Sequence, residues 1–122
     1  MKKIITGNLS LEAPNHRGWV VGHFMEKETG LQTGNVEVKW AEHKKGEIAE
    51  RLEAGKRERT KTLTFLVRGK YVFFFPDLDR EVILDKEGDF VFYGANLGYV
   101  RRAEEDSLVV VLRWPSIKAD KG

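Results

Sequence analysis

Apolar and polar residues alternate with a period of two along much of this chain. Asn35–Ala41 is the clearest case, with Val36, Val38 and Trp40 on one face and Glu37, Lys39 and Ala41 on the other. Successive side chains of an extended backbone point to opposite faces, so this segment is predicted as a half-buried strand. Thr62–Phe75 (TLTFLVRGKYVFFF) holds two β-rich apolar runs separated by Arg68-Gly69-Lys70, and reads as a central antiparallel hairpin. Trp19–Met25, Glu81–Leu84, Phe90–Tyr93, Tyr99–Ala103 and Leu108–Trp114 complete a set of about eight short strands. Turn residues separate them at intervals of roughly 8–12 residues, the spacing of an all-β sandwich or barrel.

Two stretches depart from this pattern. Gly46–Arg59 carries Ile48, Ala49 and Leu52 at helical spacing among glutamates and arginines, and is predicted as a short helical turn or loop ending at Gly55. Residues 1–15 are polar and broken by Gly7-Asn8 and Pro14-Asn15, so an N-terminal arm or edge strand is expected. Residues 116–122 follow Pro115 and are expected to fray. The whole chain, 1–122, reads as one domain, since its length suits a single core.

Composition changes this picture little. The absence of cysteine removes disulfides and thiolate metal sites and fits a cytoplasmic location. The start is not expected to act as a secretory leader, and no apolar run reaches the roughly 18–20 residues of a membrane span. A net charge of +2, from 21 basic and 19 acidic residues, is too small an excess to suggest nucleic acid as a partner. The basic residues of Lys56–Lys61, with Arg68, Lys70, Arg101 and Arg102, are diluted by glutamates. Phe73-Phe74-Phe75 is apolar on both faces, so one face is expected to meet a covering N-terminal strand or a second copy in a homodimer.

The second half of the chain resembles the cupin superfamily over roughly Val36–Trp114. Gly88-Asp89 matches the opening of the second cupin motif. Further along that motif, Gly94 stands at the proline position, Asn96 at the next glycine, Tyr99 at the histidine and Ala103 at the asparagine. In the first motif Gly69 fits the closing glycine and Thr62 the glutamate. Its histidine positions fall on Lys56 and Glu58, or on Arg57 and Arg59. The resemblance implies an antiparallel jelly-roll, a cupin-like β-barrel with at most one short helical segment.

It also implies that the usual metal cage is degenerate, because Lys and Arg offer no lone pair at neutral pH. No metal or cofactor is therefore expected. The resemblance points Thr62 and Tyr99 inward, and strand parity adds Thr64 and Arg101. Together with His23, Glu37 and Lys39 these are the candidate ligand-binding residues, suited to a sugar derivative, a nucleotide or an organic acid, since Arg binds planar anions in bidentate fashion. Two other functions are carried forward. One is a metal-independent isomerase or epimerase using Tyr99 with Glu37 and Lys39 as acid and base. The other is a non-standard metal site built from His23, Glu37 and His43.

Overall fold

The computed structural model describes residues 4–52 and 60–116. Among the described residues, nine strands form two antiparallel sheets. β1 (Trp19–Val21), β2 (Glu37–His43), β4 (Lys61–Arg68), β7 (Phe90–Tyr93) and β9 (Ser107–Trp114) make the larger, in the order β1-β2-β9-β4-β7. The smaller is β3-β8-β5-β6, from β3 (Ile48–Arg51), β5 (Tyr71–Phe75), β6 (Arg80–Leu84) and β8 (Tyr99–Ala103). The sheets enclose a core that includes Leu66, Tyr71, Phe73, Phe75, Leu84, Tyr93, Tyr99 and Val109. This is the all-β jelly-roll that the cupin resemblance implies, with one short α-helix, α1 (Leu9–Glu12), among the described residues. No helix among the described residues is long and apolar enough to cross a membrane.

Three local expectations are corrected. Thr62–Phe75 is not a hairpin: β4 pairs with β7 and β9, whereas β5 pairs with β6 and β8. The chain changes sheets at Gly69, whose φ of +102° suits glycine, and a Cβ there would collide with Ser107 and the Asp106 carbonyl. Lys70 N then donates to Ser107 Oγ at 3.0 Å, tying the crossing to the start of β9.

Ile48–Arg51 is extended, not helical. β3 lies along β8 with Ile48 opposite Arg102 and Arg51 opposite Tyr99, so ladder pairing overrides a modest helix propensity. The expected end of that segment at Gly55 lies outside the described residues, as do Lys56–Arg59 and the tail after Ser116. The strand predicted over Trp19–Met25 stops at Val21, where its register is already irregular and Gly22 turns the chain away at φ +152°.

The N-terminal arm contains no strand among its described residues. Asn8 caps α1 by accepting from the amides of Ser10 and Leu11, and Pro14 lies in the 3-10 turn Ala13–His16 that follows. Ser10 Oγ donates to Glu42 Oε1 at 3.2 Å, which holds this part of the arm against β2, whereas Phe74 lies on the other sheet. Phe73 and Phe75 belong to the core; Phe74 alternates outward and is half-buried.

The larger sheet carries the more extensive apolar outer face. Cross-strand rows run Trp40–Val110–Phe65–Phe90 and Val38–Leu112–Leu63–Phe92. Phe90 is 63% exposed and Phe92 51%.

Candidate functional site

Parity on four strands decides what enters the space between the sheets. β2 turns Glu37, Lys39, Ala41 and His43 inward, the reverse of a simple apolar-in reading, because Val38 and Trp40 belong to the apolar outer face. β4 contributes Thr62 and Thr64, β8 contributes Tyr99 and Arg101, and β9 contributes Val109, Val111 and Arg113. One part of the interior is filled by aromatic rings: Tyr99 lies 5.2 Å from Tyr93 and 5.5 Å from Phe73, centroid to centroid. Beside these rings is a cavity of ≈ 40 Å³, bordered by Lys39, Arg51, Thr62, Thr64, Tyr99, Arg101 and Arg113 among others. A space of this size holds roughly three waters.

The charge in this cavity is one-sided. Lys39, Arg51 and Arg101 border it, and none of the three pairs with a carboxylate among the described residues. Burial, reinforced by Arg101, Arg113 and Arg51, lowers the Lys39 pKa from 10.5 to about 8. The Lys39 stem is fixed: a Cβ on Gly18 would lie 3.0 Å from its Cε, and its Nζ stands 5.6 Å from the centroid of Trp19.

Arg101 is held from the opposite sheet. Its Nη1 donates to Tyr71 Oη and lies 3.3 Å from His43 Nε2. His43 Nδ1 is 2.8 Å from Glu47 Oε2, so the neutral ring donates to Glu47 from Nδ1 and offers its Nε2 lone pair to Arg101. Desolvation lowers the His43 pKa and raises that of Tyr71, which keeps both groups neutral. Arg102, one residue along, points outward to Glu81 and Glu104.

His23 and Glu37 occupy a different place. Nε and Nη2 of Arg113 both reach Glu37 Oε1 at 3.1 Å, and Ser116 Oγ donates to Glu37 Oε2 at 3.0 Å. Ser116 Oγ in turn accepts from the His23 amide at 2.9 Å and lies 2.6 Å from His23 Nδ1. Because the hydroxyl proton goes to Glu37, His23 must donate from Nδ1. This buried cluster fastens the end of β9 to β2 and to the loop after β1. Neither His23 nor Glu37 lines the cavity, so five of the seven predicted binding residues meet there and these two do not.

The proposed acid/base pairing of Glu37 with Lys39 is therefore not assembled: Arg113 and Ser116 hold the carboxylate, and only Lys39 borders the cavity. The His23/Glu37/His43 metal site is not assembled either. His43 lies six residues from Glu37 on β2, roughly 20 Å along an extended strand, and is engaged by Glu47 and Arg101. No group of three or more metal-ligating side chains comes together among the described residues. A divalent ion of the kind held by the cupin fold does not fit a cavity bordered by Lys39, Arg51 and Arg101, whose charges repel it. The first-motif histidine positions, 56–59, lie outside the described residues.

Sequence reasoning missed Arg51, Tyr71, Tyr93 and Arg113, and named His43 only as a metal ligand. Arg113 carried a readable signal, as the one charged residue in an otherwise apolar closing strand and in phase with the inward Val109 and Val111.

No family model matches the sequence, and no curated protein matches it. Solved structures do. The chain is similar to KdgF from a Halomonas species, with a TM-score of 0.59 at 19% identity over 70% of this chain and 74% of that one. It is similar to an RmlC-like cupin protein from Desulfovibrio desulfuricans, with a TM-score of 0.59 at 18% identity over 70% and 76%. A double-stranded beta-helix protein from Klebsiella pneumoniae gives 0.58 at 14% over 69% and 70%. The fold is that of the cupin superfamily.

Proposed function

We propose that this cupin-fold chain is a metal-free small-molecule-binding protein whose cavity takes a short anionic ligand. The observation that carries the reading is the convergence of Lys39, Arg51 and Arg101 on one small cavity without a carboxylate partner among the described residues. Thr62, Thr64 and Tyr99 add hydroxyls to the lining. The arrangement matches an oxyanion flanked by hydroxyl or carbonyl oxygens. The cavity volume narrows the sequence-based range: a small organic acid fits inside, whereas a sugar derivative or nucleotide would place only its anionic group there. Within this reading the protein is cytoplasmic.

Thermal melts with pyruvate, malonate and inorganic phosphate, and with glycerol as an uncharged control, test it. A fitting anion at about ten times its Kd adds about 1.4 kcal/mol and raises Tm by roughly 4 °C. Glycerol and a chelator leave Tm unchanged. Arg101→Gln abolishes the rise. Equal melts with every anion, or a full shift in Arg101→Gln, contradict the reading.

The same reading includes self-association through the outer face of the larger sheet, where Phe90 and Phe92 flank half-buried Leu63, Phe65, Val110 and Leu112. Two such faces would shield each other from water. Light scattering on the purified protein is expected to give a dimer mass, and Phe92→Glu a monomer. A monomer in the unaltered protein rejects this interface.

A further inference from the structure

We propose that Lys39 is a covalent-binding residue: its amine condenses with the carbonyl of a short oxo acid whose carboxylate is held by Arg101 and Arg51. The inference rests on the anion-binding reading above and names the ligand class more closely. It starts from geometry. Lys39 borders the cavity with its stem packed at Gly18 and its Nζ 5.6 Å from the centroid of Trp19, which borders the same cavity. Arg101 approaches from the opposite sheet, anchored by Tyr71 and His43. An oxo acid presents a carboxylate and a carbonyl on adjacent or nearly adjacent carbons, so one cation can grip the first while an amine attacks the second. Arg51 borders the same space, whereas Arg113, which also borders it, is engaged by Glu37.

The environment supplies the remaining requirement. An ordinary lysine is protonated at neutral pH and carries no lone pair, but desolvation and the guanidinium groups bring Lys39 to about 8, so that about a tenth of the amine is free at pH 7 and about half at pH 8. The other titratable groups bordering the cavity are His43, Tyr71, Tyr93 and Tyr99. Lys39 and His43 also border a groove of ≈ 350 Å³ shared with Ser10, Ala13 and Arg17.

The step balances without any co-reactant. The neutral amine attacks the carbonyl carbon, and a proton passes from nitrogen to oxygen to give a carbinolamine. The carbon–oxygen bond then breaks as the hydroxyl takes up the proton that Lys39 had released, leaving as water and producing the iminium. The net change is ammonium plus carbonyl giving iminium plus water.

Reductive trapping tests this on the full-length protein. With pyruvate and sodium cyanoborohydride, intact mass spectrometry is expected to show one reduced adduct per chain, and peptide mapping to place it on Lys39. Excess lactate, which has the carboxylate but no carbonyl, slows trapping. Acetone, which has the carbonyl but no carboxylate, is trapped at least tenfold more slowly. Lys39→Arg keeps the charge, melts as a folded protein and gives no site-specific adduct. Adducts scattered over surface lysines, or an unmodified Lys39 in protein that pyruvate and lactate stabilise equally, overturn the covalent step and leave the anion site standing. Failure of both acids to stabilise the protein removes the anion site itself.

Discussion

Lys39→Met is expected to raise the melting temperature of the free protein at pH 7 while removing its affinity for small carboxylates. The folded pKa of Lys39 is about 8 against an ordinary 10.5, so the fold disfavours the charged amine. Below pH 8 the amine is protonated in both folded and unfolded chains, and the cost of burying its charge is fully present. As pH rises from about 8 to 10.5 the folded form gives up its proton first, the unfolded chain binds more protons, and stability increases. The full shift corresponds to roughly 3 kcal/mol as an upper bound. Methionine keeps most of the stem's packing against Gly18 and Trp19 without the charge. Melting curves at pH 7 should therefore show a gain of several degrees, shrinking towards zero near pH 10.5. A destabilised variant, or a gain that ignores pH, would show that Lys39 is not held under strain among like charges.

Glu37→Ala is expected to cost about 3–5 kcal/mol, the range for breaking a buried ion pair from one side. Glu37 is 2% exposed and Arg113 5%, and the substitution removes the carboxylate that receives Nε and Nη2 of that guanidinium. It also takes the acceptor from Ser116 Oγ, whose bonds to His23 fasten the end of β9. Denaturant titration should show the loss in the midpoint with little change in slope. The double variant Glu37→Met/Arg113→Met should recover a large part of it, because no charge is then left buried. If Glu37→Ala unfolds near the original midpoint, the cluster is not what secures the closing strand.

Much of this architecture is written in local patterns. Period-two alternation identifies β2 as a strand, though its polar face is the one turned inward, and β-rich apolar composition identifies β4, β7, β8 and β9; the cupin resemblance points Thr62 and Tyr99 inward, and parity adds Thr64 and Arg101. What failed was information held between strands. Gly69 looks like a turn residue whether the chain folds back or crosses to the other sheet, and only the partners of β4 and β5 decide. Ile48–Arg51 carries helix-forming residues and becomes a strand through its ladder with β8, which hid Arg51 from the site. Glu37 and Lys39 share a face of β2, yet Arg113 claims one and the cavity the other. Pairing across the sheet decides such matters, and spacing along one strand does not report it.

The most direct test of the central claim is a calorimetric titration of the purified protein with pyruvate at low and at high salt. The account predicts saturable binding at one site per chain, weakened by salt because cations hold the ligand, and absent in Arg101→Gln. Heats indistinguishable from dilution for the unaltered protein, or an undiminished isotherm in Arg101→Gln, would contradict it.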